Sequence, residues 1–203
     1  KEQSGEELIM NKRDSWTKKA LRTEYRARRK ALSRIEVFRR SYRIKTYFFE
    51  QDLTDVQHVH LFLPMSRERE VNTYLIIMEL WRRGIKTSVS KVVGDDLIHF
   101  PFRKATELKR NRWRIVEPVN EIPLTDTELK TIDLVIIPLL VADQKGNRVG
   151  YGKGYYDRFL THIPKALRVG VSLFPPIEVI ADVDPWDAPL QALITPNLLY
   201  LID

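Results

Sequence analysis

The sequence predicts a single α/β domain in a three-layer α/β/α arrangement, with an open, largely parallel sheet and helices at the N-terminal end. Apolar strand patterns alternate along the chain with amphipathic helical patterns, which is the order typical of such sheets. Residues 132–138 form a continuous, mostly β-branched run, which favours a central strand covered on both faces. We expect this domain to span residues 15–203, after a partly disordered leader at residues 1–14.

Two helices are predicted at the N-terminal end of the domain. Asp14 or Ser15 is a suitable cap for a helix beginning near Trp16, and a second helix is expected from Ile35 to about Asp52. The apolar positions that support the first helix recur at nearly helical spacing, at Leu21, Tyr25, Leu32 and Ile35.

The remaining elements follow from alternation, apolar runs and turn residues. Further strands are predicted at residues 58–64, 85–93, 97–102, 167–172 and 198–201. Further helices are predicted at residues 73–83 and 155–162, whereas 108–118, 125–131 and 179–186 are interpreted as loops, short strands or helical turns. A glycine-rich loop is expected to leave the strand at 132–138 from its carboxyl end, where α/β proteins bind ligands.

Composition excludes several classes of protein. The 203-residue chain contains no cysteine, which rules out disulfides and thiolate metal sites. No apolar stretch approaches the roughly 20 residues that a membrane helix needs. Residues 1–13 are charged and lack the apolar core of a signal peptide, so a cytoplasmic location is expected.

Positive charge is concentrated near the N-terminus. The formal net charge is +7, and between Lys18 and Lys45 only Glu24 and Glu36 oppose a dense run of lysines and arginines. Such a surface can attract an anionic small ligand, anionic lipid or nucleic acid. It can equally be a solvated helix face, and charge alone leaves these alternatives open.

The most informative segment is the glycine-rich loop. Gly150, Gly152 and Gly154 stand at alternate positions, with Arg148 and Lys153 among them. Glycine permits left-handed backbone and close approach to a ligand, and consecutive N–H groups in such a turn form an anion site. A helix that begins just after the loop adds to this preference, so the pattern indicates a polyphosphate site.

This loop matches neither of two common nucleotide motifs. The glycine-lysine-serine/threonine order of the P-loop is absent, and the third glycine comes too early for a dinucleotide fingerprint. A tight turn that merely lets a strand and a helix pack is the alternative interpretation.

Carboxylates near the loop suggest a metal. Asp157 lies in the first turn of the predicted helix, where it could stabilise the helix dipole or hold Mg²⁺. Asp182, Asp184 and Asp187 are candidate partners, although aspartates in loops are usually only solvated.

Several aromatic and polar residues could recognise a flat ring. Tyr151 and Tyr155 lie within or beside the glycine loop and have little core to enter, so a role in stacking is favoured for them. Glu70 could accept hydrogen bonds from an amine-rich heterocycle, or could simply be solvated. His58 and His60 alternate in one strand and are interpreted as structural.

Residues 146–160, Gly-Asn-Arg-Val-Gly-Tyr-Gly-Lys-Gly-Tyr-Tyr-Asp-Arg-Phe-Leu, resemble the signature of the 5-formyltetrahydrofolate cyclo-ligase family. The resemblance extends over almost everything from residue 15 onward. It includes residues 18–22, 70–73, 113, 117–118, 133–138 and 186–190. It implies ATP-dependent conversion of 5-formyltetrahydrofolate to 5,10-methenyltetrahydrofolate, with Mg²⁺ and with ADP and phosphate as products. We expect a cytoplasmic monomer with small-molecule substrates, without nucleic acid or membrane partners. A basic nucleic-acid-binding module and a noncatalytic folate or nucleotide binder are the alternative functions.

The resemblance also implies roles for individual residues. The expected ATP-binding residues are Lys18, Arg22, Arg148, Val149, Gly150, Tyr151, Gly152, Lys153, Gly154, Tyr155 and Tyr156. The expected folate-binding residues are Leu63, Glu70, Trp113, Tyr151, Gly152, Lys153, Gly154 and Tyr155. Lys153, Arg148 and Tyr155 are expected to act in catalysis, and Asp157 and Asp187 to serve the metal.

The sequence departs from the family pattern at two places that would affect the site. Leu139 stands close to where the family usually has a glycine, which predicts a bulkier wall of the site. Ser90-Lys91 replaces a usual Pro-Arg, so Lys91 is expected to supply the positive charge there.

Overall fold

A computed structural model describes residues 16–202, and the expected leader at 1–14 lies outside this range. The central sheet has seven strands in the order β11-β10-β9-β6-β1-β2-β3. Its strands are β1 (His58–Leu61), β2 (Lys86–Val93), β3 (Asp96–Phe102), β6 (Leu134–Pro138), β9 (Leu167–Val171), β10 (Ala192–Ile194) and β11 (Leu199–Leu201).

The other elements are helices and two small hairpins. The helices are α1 (Lys18–Ala31), α2 (Arg34–Phe49), α3 (Tyr74–Arg82), α4 (Asp126–Leu129) and α5 (Tyr155–His162), and Ser66–Glu68 is a 3₁₀ turn. The hairpins pair β4 (Leu108–Arg110) with β5 (Val116–Pro118), and β7 (Val141–Ala142) with β8 (Arg148–Val149).

The sheet is parallel except at its two edges. β1 pairs in parallel with β2 and β6, and β9 pairs in parallel with β6 and β10. The edge strands β3 and β11 run antiparallel to β2 and β10. The predicted α/β class with a largely parallel sheet is therefore confirmed, and the carboxyl ends of β1, β6 and β9 lie along one edge.

Two apolar cores occupy the two faces of the sheet and complete the three layers. The first core joins α1, α2 and α3 to one face, with Ile44, Phe48 and Ile76 fully or almost fully buried. The second core packs α5 on the opposite face, where Phe159 and Leu160 meet the central strand β6. β6 is thus buried on both sides, as its β-branched run predicts.

The first helix starts later than the sequence predicts. Thr17 is the N-cap of α1, and its hydroxyl accepts a hydrogen bond from the Ala20 amide at 3.3 Å. The prediction of Asp14 or Ser15 as the cap, with a start near Trp16, is therefore wrong. A threonine oxygen two residues further along satisfies the free amides just as well.

The short elements around the glycine loop were not predicted. The hairpin β7–β8 separates the central strand from the loop, so the loop does not leave β6 directly. Strand β10 is a fully buried three-residue segment, Ala192–Ile194, too short to show a period in the sequence. Leu139 is also buried, in the second core, which corrects the expectation that it would thicken the wall of the site.

No helix among residues 16–202 is long and apolar enough to cross a membrane.

Close packing at Gly170 generates a stability test. A Cβ atom at this position would lie 2.5 Å from the Leu190 side chain and 2.7 Å from the Leu139 side chain. Overpacking of this kind costs about 1–3 kcal/mol, and we expect Gly170→Ala to lower the free energy of unfolding by that amount, measured by urea denaturation. Gly150→Ala is the control, because a Cβ there meets nothing within 4 Å. Equal stability of the two variants would contradict the packing described.

Candidate active site

The candidate site lies at the carboxyl edge of the parallel strands. The segment that holds Glu70 follows β1, the hairpin and glycine loop follow β6, and the aspartate-rich loop 182–187 follows β9. Helix α1 bonds the aspartate-rich loop through its first amide and the glycine loop through Arg22 and Arg29, and the Tyr151 hydroxyl continues the connection to Glu70. The topology therefore brings together most of the residues selected from the sequence.

The glycine loop adopts the backbone that its composition favours. Gly152 has φ +85°, and Gly154, the N-cap of α5, has φ +66°. Arg22 packs directly on Gly152, since a Cβ there would lie 3.0 Å from the guanidinium. The Arg22 Nε donates to the Gly150 carbonyl at 3.0 Å, which fixes a cation over the loop.

Arg148 joins the loop to the first turn of α5 and to the segment before β10. Its guanidinium donates to Asp157 Oδ1 at 2.6 Å and to the Ala188 carbonyl. Asp157 Oδ1 also accepts the Ala188 amide at 3.1 Å. With its side chain 7% exposed, Arg148 is a buried cation whose partners set the shape of the loop.

Lys18 is surrounded by the aspartates of the 182–187 loop. Its ammonium donates to Asp184 at 2.7 Å and to Asp187 at 2.5 Å, while its backbone amide donates to Asp182 at 2.5 Å. Burial lowers the Lys18 pKa, but the hydrogen bonds and charges of Asp184 and Asp187 outweigh it, so the net pKa is raised. Lys18 therefore stays charged at the start of α1.

A hydrogen-bonded chain links α1 to Glu70 through the loop. Arg29 Nη1 donates to the Tyr151 hydroxyl at 3.0 Å, and that hydroxyl donates to Glu70 Oε1 at 2.5 Å. The other Glu70 oxygen accepts the Met65 amide at 2.7 Å. Arg26 stacks over the Tyr151 ring, 5.2 Å from its centroid. The Tyr151 side chain thus contacts both the cations of α1 and the Glu70 carboxylate.

Burial controls the protonation of this chain. Glu70 is 4% exposed, and burial raises its pKa although Arg29, the Met65 amide and the Tyr151 hydroxyl oppose the rise. Burial also raises the Tyr151 pKa, and the neighbouring Glu70 charge adds to the effect. Tyr151 therefore remains a neutral donor to the carboxylate.

Lys153 is placed differently from the other loop cations. Its side chain is exposed, and no residue within 16–202 forms an ion pair with it. Its carbonyl accepts a hydrogen bond from Arg158 at 3.0 Å, and the Arg158 guanidinium stacks on Tyr155 at 5.4 Å. Lys153 is therefore available to meet an anion at the loop.

Three predicted site residues contribute less directly. Val149 is fully buried, so only its backbone can face a ligand. Leu63 is 8% exposed at the end of β1 and belongs to the first core. Trp113 is 58% exposed in the turn between β4 and β5, with Arg112 stacked on it at 4.0 Å. Lys91 pairs with Glu117 at 3.4 Å near this turn.

The carboxylates suit a hard cation only if other ligands complete its shell. No group of three or more His, Cys, Asp or Glu side chains that could hold a metal is found over residues 16–202. Asp157 faces Arg148, and Asp187 faces Lys18. Mg²⁺ commonly takes one or two carboxylates plus waters and substrate phosphates, so these two oxygen donors fit a metal that arrives with a nucleotide.

Sequence reasoning missed the importance of Arg29 and Asp143. Arg29 is 4% exposed and follows Leu21 and Tyr25 at four-residue spacing, so its place on the buried face was detectable. Asp143 is fully buried and accepts hydrogen bonds from the Lys145, Asn147 and Ile180 amides at 2.9 to 3.1 Å. No sequence periodicity marks such a loop-organising carboxylate.

Two clefts also lie outside the candidate site. They measure about 580 and 500 Å³ and meet at the amino end of β2, lined by residues 84–86 among others. Neither is lined by a residue of the glycine loop. The site is recognised from its charges and its backbone.

The fold and site define an α/β protein that presents a cationic glycine loop next to a buried carboxylate. A family model described as the 5-formyltetrahydrofolate cyclo-ligase family matches residues 14–196, and the chain belongs to that family. The resemblance seen in the loop signature is thereby confirmed.

Relatives from distant organisms support this membership. The 5-formyltetrahydrofolate cyclo-ligase of Escherichia coli K12 is 30% identical over 142 residues, covering 67% of this chain and 77% of its own. The Mycoplasma genitalium cyclo-ligase is 42% identical over 154 residues, covering 70% and 88%, and the Mus musculus cyclo-ligase is 29% identical over 151, covering 70% and 73%.

Solved structures share the fold. The Aquifex aeolicus 5,10-methenyltetrahydrofolate synthetase superposes with a TM-score of 0.72 at 26% identity, covering 91% of this chain and 92% of its own. The Mycoplasma pneumoniae 5,10-methenyltetrahydrofolate synthetase gives a TM-score of 0.66 at 24% identity, covering 89% and 99%.

The raised Glu70 pKa generates a pH test. At pH values between the ordinary glutamate pKa of 4.5 and the raised pKa of Glu70, the folded protein binds more protons than the unfolded chain. The contribution of Glu70 to stability therefore falls as the pH rises through this range. Glutamine does not titrate. We therefore expect the difference in free energy of unfolding, Glu70→Gln minus wild-type, to increase as the pH rises from 4.5. Urea denaturation across this range measures the difference. A difference independent of pH would contradict the burial of a titrating Glu70.

Proposed function

We propose that this protein closes 5-formyltetrahydrofolate to 5,10-methenyltetrahydrofolate by using ATP. The observation that carries the proposal is the 2.5 Å hydrogen bond between the Tyr151 hydroxyl and Glu70, which couples the glycine loop to a buried carboxylate. A phosphate donor on the loop and a heterocycle at Glu70 would then lie side by side. Family membership supports the same reaction.

The nucleotide is assigned to α1 and the loop. Lys18, Arg22 and Lys153 supply positive charge, and the amides of residues 149–156 with the N-terminus of α5 supply donors. Lys18 has to exchange an aspartate for a phosphate oxygen, whereas Lys153 meets the phosphates without losing an ion pair. Tyr155 and Tyr156 follow at the start of α5.

The folate is assigned to the Glu70 side of the loop. The Glu70 carboxylate is an acceptor for the N–H groups of the pterin, and Leu63 at the end of β1 offers an apolar contact. Residues 151–155 would touch both substrates. Trp113, exposed in the β4–β5 turn, is the proposed outer wall for the ring system.

The chemistry needs charge stabilisation more than it needs a nucleophile in the protein. The terminal phosphorus–oxygen bond of ATP breaks as the formyl oxygen bonds to phosphorus, which turns a poor leaving group into phosphate. The neighbouring amine then attacks the formyl carbon, the carbon–oxygen bond breaks, and the amine loses its proton. Lys153 and Arg148 with the loop amides would stabilise the transferred group.

Mg²⁺ would supply charge neutralisation between the phosphates when it is bound. Asp157 and Asp187 are the proposed ligands, and each would first release its present partner, Arg148 or Lys18. A monomer that acts in the cytoplasm on these small molecules, without nucleic acid or membrane, stays part of this proposal.

Lys153 provides the test of the loop. We expect Lys153→Ala to lower kcat/KM for MgATP by about 100-fold or more, because a charge that stabilises the transferred group is lost. Formation of the methenyl product is followed by its absorbance. Lys145→Ala is the matched control, since Lys145 is another exposed lysine, on the preceding hairpin turn.

Two results would refute the proposal. If folded wild-type protein makes no methenyl product from MgATP and 5-formyltetrahydrofolate, the proposed activity is refuted. Equal turnover by Lys153→Ala and Lys145→Ala would instead refute the proposal that the glycine loop stabilises the transferred phosphoryl group.

A further inference from the structure

The cation at the start of α1 is paired with two carboxylates in this structure. The Lys18 ammonium donates to Asp184 Oδ2 at 2.7 Å and to Asp187 Oδ2 at 2.5 Å. The Lys18 side chain is 16% exposed, so water and salt screen these two ion pairs only in part. A phosphate oxygen that binds Lys18 must therefore compete with two aspartates of the 182–187 loop.

Arg148, the buried cation beside the glycine loop, is paired in the same way. Its guanidinium donates to Asp157 Oδ1 at 2.6 Å. Asp157 and Asp187 are the carboxylates proposed to hold Mg²⁺. Each proposed metal ligand is therefore the counter-ion of a cation that is proposed to hold phosphate.

This pairing favours a ligand that carries both signs of charge. A metal-free phosphate that takes Lys18 or Arg148 leaves a partly buried carboxylate unpaired beside its own negative charge, which opposes binding. A phosphate that arrives with a divalent cation brings a new partner for that carboxylate. The geometry therefore discriminates between the metal complex of a nucleotide and the nucleotide alone.

Asp184 differs from the two proposed metal ligands in how its carboxylate is held. A backbone amide orients each of those ligands: the Asp184 amide donates to Asp187 Oδ2 at 2.8 Å, and the Ala188 amide donates to Asp157 Oδ1 at 3.1 Å. The Asp184 carboxylate is bonded to the Lys18 ammonium instead, and its side chain is 45% exposed. It can therefore compete for Lys18 and then be released to water.

We propose that Asp184 is a specificity-determining residue, which makes the site select a nucleoside triphosphate with a bound divalent cation over the metal-free nucleotide. A metal-free triphosphate that displaces Asp184 from Lys18 would face two unpaired carboxylates, those of Asp184 and Asp187. A divalent cation at Asp187 would offset both charges, because both carboxylates contact the same ammonium. This inference deepens the proposed function and rests on its assignment of ATP to Lys18.

Calorimetric titration with ATP, in EDTA and in excess Mg²⁺ but without folate, tests the selection. We expect Asp184→Asn to tighten the binding of metal-free ATP about two- to fivefold, the effect of one partly exposed ion pair. The factor by which Mg²⁺ tightens ATP binding should fall by the same amount. The variant should fold, because the hydrogen bonds between residues 184 and 187 use the backbone of Asp184 rather than its carboxylate.

Two further variants separate competition for Lys18 from a general change of charge. Asp182→Asn is the matched control, since Asp182 lies on the same loop but accepts the Lys18 backbone amide rather than the ammonium. An asparagine can still accept that bond, and we expect the effect of Mg²⁺ on ATP binding to stay near the wild-type value. Asp184→Glu keeps the carboxylate and should also retain the wild-type preference.

Three results would overturn the proposal and leave the ATP site in place. They are no gain in metal-free ATP binding by Asp184→Asn, an equal gain by Asp182→Asn, and a marked loss of MgATP affinity in Asp184→Asn, which would make Asp184 a metal ligand. A wild-type protein that binds no ATP in either condition would instead refute the assignment of the nucleotide to α1, and this proposal with it.

Discussion

The hydrogen bonds and ion pairs that join the cations of α1 to the loops at the carboxyl edge are the interactions on which the site depends. Lys18 forms ion pairs with Asp184 and Asp187, Arg22 packs on Gly152, and Arg29 donates a hydrogen bond to Tyr151. These contacts join α1 to two segments that follow different strands, and the bond from Tyr151 to Glu70 adds the segment that follows β1. Because the cations are half-buried or buried, each needs a counter-charge, and phosphate oxygens are chemically suited to replace aspartates in that role.

The shared hydroxyl of Tyr151 makes the two halves of the site interdependent. It accepts from Arg29 on α1 and donates to the buried Glu70, so a ligand that displaces either partner alters the other. Such coupling suits a reaction in which a phosphoryl group passes directly between two bound molecules. The reacting atoms would be aligned by groups that the fold already holds in place.

Much of this could be predicted from the sequence, because the informative patterns are local. The β-branched residues of β6 and the alternating glycines determine the backbone conformation of their own segments. Helix α5 is predicted at residues 155–162, where the structure has it. Contacts between distant segments left no such signal. The burial of Arg29 and the hydrogen bonds of Asp143 depend on which loops meet at the sheet edge. His58 and His60, interpreted as structural, lie on one face as expected, but their hydrogen bonds run to serines of another strand.

In the proposed reaction, the glycine loop holds ATP while its terminal phosphoryl group passes directly to the formyl oxygen. A single-turnover reaction with 5-formyltetrahydrofolate carrying ¹⁸O in the formyl group tests it most directly. The account predicts that the released phosphate carries that ¹⁸O atom, because the formyl oxygen leaves bonded to phosphorus. Unlabelled phosphate, formed together with the methenyl product, would contradict it.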